Sequence, residues 1–142
     1  GLGCFWEPEI KFSKLHGVTK TEVGYCGGSS SKTNYREVCT GSSNHAEVVK
    51  IEFDKNKLSY ENILKYFFEI HDPTTLNRQG ADIGTQYRSE IFFVNIKQKK
   101  IAQNVLKQYN KKYNRKITTK ISEAKNYVKA EEYHQNYLEK KT

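Results

Sequence analysis

The sequence predicts an α+β fold, a single-domain two-layer sandwich in which helices pack on a mixed or mainly antiparallel, ferredoxin-like sheet. Three observations carry this expectation. Apolar residues at strand period and at helix period succeed one another along the chain. No repeat or low-complexity linker divides its 142 residues, a length that one core can serve. Aromatic residues make up 13% and supply large core side chains, although overall hydrophobic content is only 36%.

The elements follow in order. Phe5, Ile10, Phe12 and Leu15 among charged neighbours predict a short helix over residues 5–15. Pro8 places its start only a few residues upstream, because proline is tolerated in the first turn, where its missing N–H would be unpaired anyway. Residues 18–25 read as a strand closed by Gly27 and Gly28. Residues 29–44 are polar and too poor in periodicity for a regular element; a loop of that length in a small domain is usually disordered or functional, and this one holds Tyr35 and Arg36. In a second strand over 45–53, Val49, Ile51 and Phe53 alternate with Lys50 and Glu52, and Glu47 shares the parity of the apolar set.

The clearest helix spans 59–70, with Ser59 as N-cap, Ile63, Leu64, Phe67, Phe68 and Ile70 as its buried stripe, and Asp72-Pro73 beyond its end. An irregular stretch through Tyr87 precedes a strand over 90–95, a lysine-rich helix over 97–113, a strand over 116–122 and a short helix over 130–138.

The formal charge of +8 raises a nucleic-acid reading, since Lys97, Lys99, Lys100, Lys107, Lys111, Lys112, Arg115 and Lys116 crowd one stretch. Those residues fall all around the predicted helix and its exit, as on a solvated surface, and no phosphate loop or RNA-binding aromatic signature accompanies them. No nucleic-acid partner is expected. No apolar run reaches membrane-span length, so no membrane association is expected either, and the reading is of a cytoplasmic monomer. The chain begins at Gly1 rather than methionine, which leaves room for a preceding signal or first strand. Cys4, Cys26 and Cys39 are an odd count without a CxxC pair or Cys/His ligand spacing, which argues against a zinc site and against a fully paired disulfide framework. At least one thiol should be free.

Cys4 lies between Gly1-Leu2-Gly3 and the helix that Pro8 anchors, a position that brings its sulfur near the unpaired N–H groups of a first turn. Those partial charges favour thiolate, the attacking species in sulfur chemistry. The plain alternative is a buried, inert cysteine. Phe5 and Trp6 are either ordinary core or the wall of an apolar pocket beside the sulfur. Taken singly, Tyr35 and Tyr87 are two of ten tyrosines, Asp82 between Gly80 and Gly84 suits an Asx turn, and His45 and His134 suit structural hydrogen bonding.

Gly3-Cys4-Phe5-Trp6, Gly24-Tyr25-Cys26-Gly27-Gly28, His45-Ala46-Glu47, the run Gly80 to Ser89 and Ala130-Glu131-Glu132-Tyr133-His134-Gln135 together resemble the A-type peptide methionine sulfoxide reductases, in order and spacing, over nearly the whole chain. The resemblance implies one catalytic domain over 1–142 that reduces methionine-S-sulfoxide, free or in oxidised proteins, and spares the R epimer. It implies that Cys4 attacks the sulfoxide sulfur, Phe5 and Trp6 receive the substrate methyl group, Glu47 protonates the oxygen, Tyr35 and Tyr87 hydrogen-bond it, and Asp82 supports the site through water. Sulfoxide oxygen is a strong acceptor and a poor leaving group, so a proton donor and fixed hydroxyls in an apolar enclosure suit the chemistry. With inward parity, Glu47 should have a raised pKa and keep its proton near neutrality. Glu7 departs from the glycine that many relatives carry after the tryptophan.

Oxygen transfer would leave Cys4 as sulfenic acid. Relatives often resolve it with cysteines in a C-terminal tail, but no cysteine follows Cys39 here. Cys26 is the leading internal candidate because glycines permit close approach, Cys39 the second, and direct attack by an external thiol (thioredoxin, glutaredoxin or dithiothreitol) the third. No bound cofactor is expected. The competing functions are a cysteine acyl-transfer hydrolase, which needs His45 or His134 at the sulfur, and a non-catalytic basic binding module.

Overall fold

The computed structural model describes residues 1–141. Helix α1 (Trp6–Ser13) carries Pro8 in its first turn, and Phe12 points into the core. Strand β1 (Val18–Cys26) follows. Residues 29–44, expected to be irregular, contain α2 (Tyr35–Thr40): Asn34 caps it by accepting from the Glu37 amide at 3.0 Å, and Gly41 closes it at φ 78°. Cap chemistry rather than apolar periodicity makes this helix.

After β2 (Ala46–Phe53), α3 (Tyr60–Glu69) begins at Ser59, whose hydroxyl accepts from the Asn62 amide at 3.1 Å. The stretch before Tyr87 holds a two-residue hairpin, β3 (Arg78–Gln79) with β4 (Asp82–Ile83), then a 3-10 turn, Thr85–Tyr87.

Strand β5 (Glu90–Phe93) and α4 (Ile96–Lys112) fall close to where periodicity put them. The strand expected over 116–122 is β6 (Lys120–Glu123), displaced because Asn114 and Arg115, at φ 55° and 62°, first turn the chain out of the helix. A short strand, β7 (Val128–Lys129), was not foreseen. The helix expected over 130–138 is instead a 3-10 turn, Glu132–His134, and a separate α5 (Tyr137–Lys140), broken at Asn136 where φ is 53°.

The strands make a mixed system. β2, β1 and β7 form an antiparallel sheet in that order, while β5 and β6 pair in parallel with Ile91 opposite Ile121. A bridge from Leu2 to Ser89 ties the residues before Cys4 to the start of β5. Helices α3 and α4 pack together over a core that includes Leu64, Phe67, Phe68, Ile91 and Val105. Burial of this size is the main driving force for the fold. No helix of the described residues is long and apolar enough to cross a membrane.

The register of β1 on β2 positions the site. Tyr25 lies opposite Glu47 and Cys26 opposite Ala46. Because strand side chains alternate between faces, Tyr25 and Glu47 point one way and Cys26 and Ala46 the other. On the Tyr25 side a second cluster gathers Phe5, Val23, Tyr25, Val38 and Ala130, with Trp6 and Tyr35 against it. The segment beyond β7 is clamped there by Gln135. Its amide accepts from the Val23 N–H at 2.9 Å and donates to the Val23 and Ala130 carbonyls at 2.9 and 3.0 Å, standing in for a strand partner.

Gln135→Leu keeps the volume but strands the Val23 N–H and the Ala130 carbonyl, while the Val23 carbonyl keeps the Ala130 N–H at 3.0 Å. A loss of about 2–4 kcal/mol in unfolding free energy, seen as a lower urea midpoint at unchanged slope, is expected.

Candidate active site

Gly3 turns the chain into α1 at φ 98°, where a side chain would be strained and a Cβ would meet Gln79 at 2.8 Å. Cys4 follows, half-buried, and Phe5 and Trp6 open the helix. The Phe5 amide, one peptide bond after the cysteine, donates to Glu47 Oε1 at 3.2 Å. That bond brings β2 and the helix start together.

Glu47 is 1% exposed, and its other oxygen, Oε2, is buried with no hydrogen-bond partner among the described residues. Burial pushes the carboxyl up to about 8; the Phe5 amide opposes the rise and the nearby Asp82 carboxylate adds to it. The inward parity of Glu47 in the sequence has the electrostatic consequence expected of it.

Cys4 departs from expectation. The Trp6 amide does donate to its sulfur and lowers the pKa, as a helix start should, but burial outweighs it. With further contributions from Glu47, Asp82 and Cys39, the thiol is pushed up to about 11 rather than held as thiolate. One amide does not offset desolvation and neighbouring acids.

Tyr35 is the first residue of α2, and Glu131 fixes it there: one carboxylate oxygen accepts from the Tyr35 amide at 2.9 Å, the other from the Tyr25 hydroxyl at 2.8 Å. The Tyr35 hydroxyl is hydrogen-bonded to the Cys39 sulfur, and burial pushes its pKa up. Tyr87 ends the 3-10 turn; burial first, then the charges of Glu47, Cys39, Asp82 and Cys4, push it up to about 12. Asp82 is exposed on β4, near enough to act on both Cys4 and Glu47. Trp6 is held by His134, whose Nδ1 accepts the indole N–H at 3.0 Å, and by Tyr137, stacked at 3.9 Å between centroids.

These contacts bring Cys4, Phe5, Trp6, Tyr35, Glu47, Asp82 and Tyr87 into one neighbourhood. Cys26 is not in it. Its sulfur is 1% exposed, donates to the Lys125 carbonyl at 3.4 Å and packs with Ala46 and Val48 on the opposite face of the sheet from Glu47. Permissive glycines could not override strand parity. His134 makes the structural hydrogen bond its sequence context suits, whereas sequence reasoning gave no role to Glu131 or Gln135; the signal available was the polar run Ala130 to Gln135.

A hydrolase would need a histidine at the sulfur. Both ring nitrogens of His45 are engaged, with the Gly28 amide at 3.1 Å and the Ser30 carbonyl at 2.7 Å; His134 Nδ1 accepts the Trp6 indole N–H, which puts the ring proton on the buried, unpartnered Nε2 and leaves no free basic nitrogen. Among the described residues no group of three or more His, Cys, Asp or Glu is arranged to hold a metal ion.

A buried acid beside an aromatic-walled thiol is what sulfoxide reduction asks for, and comparison with known proteins agrees. The family profile for peptide methionine sulfoxide reductase matches residues 1–142. The chain belongs to that family. A peptide methionine sulfoxide reductase MsrA from Pelagibacter ubique (strain HTCC1062) is 65% identical over 141 residues, covering 99% of this chain and 96% of the relative. Mxr1 from Saccharomyces cerevisiae in reduced form superposes with a TM-score of 0.94 at 37% identity, over 99% of this chain and 82% of that one. The same yeast protein in complex with Trx2 superposes at 0.67 and 25% identity, over 95% of this chain and 78% of that one.

The electrostatics of the reductase site are open to test. Alkylation of Cys4 by iodoacetamide, followed by mass spectrometry, should rise with pH toward a midpoint near 11, and Glu47→Gln should move that midpoint down by removing a negative neighbour. A wild-type midpoint near the ordinary cysteine value of about 8.5 would contradict the assignment.

Proposed function

We propose that residues 1–142 act as one catalytic domain that reduces methionine-S-sulfoxide to methionine, with Cys4 as nucleophile and Glu47 as proton donor. The observation that carries this reading is Glu47 Oε2, a buried carboxyl oxygen without a partner, on a group that keeps its proton at neutral pH and is hydrogen-bonded one peptide bond from the thiol. A sulfoxide oxygen is the acceptor it lacks. Phe5 and Trp6 wall the methyl group, and the Tyr35 and Tyr87 hydroxyls hold the oxygen as charge develops on it. Asp82, the most exposed of the set, supports the site through water.

In the first half-reaction the Cys4 proton passes to the Glu47 carboxylate of the singly protonated pair, the Cys4 sulfur attacks the substrate sulfur to form an S–S bond, and Glu47 gives the proton to the oxygen. The hydroxyl then moves to Cys4: the substrate S–O bond and the new S–S bond break, a Cys4 S–OH bond forms and the thioether is released, so Cys4 is oxidised by two electrons and the substrate sulfur is reduced by two. In the second, two external thiols reduce the sulfenic acid, giving back the Cys4 thiol with one disulfide and one water. The buried position of Cys26 favours this external route over an internal bridge, and Cys39, exposed on α2, is the internal thiol nearest the solvent. A thioredoxin-type protein is the reductant of choice, in line with the complex formed by the yeast relative; glutaredoxin or dithiothreitol supplies the same chemistry. Oxidised proteins and free methionine sulfoxide are the substrates.

With Glu47 at about 8 and Cys4 at about 11, thiolate beside protonated carboxyl is the minor tautomer of the singly protonated pair. Its population depends on pH as that of the pair does. kcat/KM should therefore climb with pH, level off above about 8 and fall only near 11.

With dithiothreitol, the S epimer should be reduced and the R epimer spared, as followed by chiral chromatography. Cys4→Ser should abolish turnover, and Glu47→Gln should slow it by about 10²–10⁴-fold. Turnover that survives Cys4→Ser sinks the reading.

A further inference from the structure

A cleft of about 400 Å³ is lined by Cys4 but not by Phe5, Glu47, Tyr35 or Tyr87. Cys4, Trp6 and Asp82 stand at its catalytic end. Beyond them the floor is apolar, built from Pro8, Ile70 and Leu138, and the rim carries Glu7 and Lys11, paired with each other at 2.8 Å.

Its walls are fixed in advance. The Gln79 amide locks the hairpin side by accepting from the Asp72 N–H at 3.0 Å and donating to the Asp72 carbonyl at 2.8 Å. On the other side, Trp6 is stacked on Tyr137, the residue before Leu138. A preformed, mostly apolar concavity continuous with a reactive sulfur is the usual form of a ligand subsite. A methyl group enclosed by Phe5 and Trp6 leaves this volume unfilled.

We propose that the cleft is a second subsite of the enzyme, seating a large apolar side chain next to the oxidised methionine in a polypeptide substrate. The proposal rests on the sulfoxide-reductase reading above, since it takes the sulfoxide to be at Cys4. Free methionine sulfoxide carries nothing to put there. A flanking leucine would reach the floor of Ile70 and Leu138 and leave its main chain at the rim, where the charges of Glu7 and Lys11 balance.

The test is steady-state kinetics on four S-epimer substrates: free methionine sulfoxide, and blocked tripeptides with the sulfoxide flanked by two glycines, by leucine before it, or by leucine after it. One of the leucine peptides should have a KM lower than the diglycine peptide by about ten-fold, the gain expected from burying a leucine side chain. Leu138→Asp should erase that gain and leave kcat on the diglycine peptide unchanged. Leu138→Ala, a milder change to a half-buried position, should remove part of it. Equal KM values for the three peptides, or a leucine gain that both variants retain, overturns the subsite and leaves the reductase intact. Reduction of none of the four overturns both.

Discussion

The hydrogen bond from the Phe5 amide to Glu47 Oε1 is the constraint on which the rest of the site depends. It joins the helix-start turn that carries Cys4 to the start of β2 in a buried strand pair, and among the described residues it is the one hydrogen bond to a carboxyl sealed from water. Two opposed effects meet on that carboxyl. An amide donor favours the charged form, burial favours the neutral form, and burial prevails. The outcome is an acid that still holds its proton at neutral pH, with one oxygen satisfied and the other buried without a hydrogen-bond partner among the described residues. Burial also raises the Cys4 thiol, so carboxyl and thiol are both uncharged at neutral pH.

The sheet acts as a partition between thiol chemistries. Tyr25 and Glu47 on one face belong to the reacting side, and Cys26 on the other belongs to the packing of Ala46 and Val48. Strand parity therefore separates two cysteines that lie close to the same turn in sequence. The aromatic wall is held from outside by a polar segment after β7: His134 takes the Trp6 indole, Glu131 spans Tyr25 and Tyr35, and Gln135 closes the segment onto Val23. These residues hold Trp6, Tyr25 and Tyr35 in place.

Much of this was readable from the residues. Alternation in 46–53 and the helical stripe in 60–69 are strong periodic signals, and they located β2, α3 and the inward side of Glu47. Short elements held by single contacts were not readable. Helix α2 depends on Asn34 and Gly41, β7 on pairing with β1, and the break at Asn136 on a left-handed residue that sequence permits but does not demand. The place of Cys4 at a helix start was readable, but its proton affinity was not, because desolvation depends on which side chains close over the sulfur. Cys26 was misplaced for a related reason: proximity to a turn is visible in sequence, while the face of the sheet follows from register.

The central claim is that Glu47 is a carboxylic acid, not a carboxylate, at neutral pH. Infrared difference spectroscopy of the resting protein through a pH titration, with Glu47→Gln to assign the band, tests it most directly. The account predicts a protonated-carboxyl C=O band that persists through neutrality, fades with a midpoint near 8 and is missing from the variant. A band that has already disappeared by pH about 6, so that Glu47 titrates like an ordinary glutamate, would contradict it.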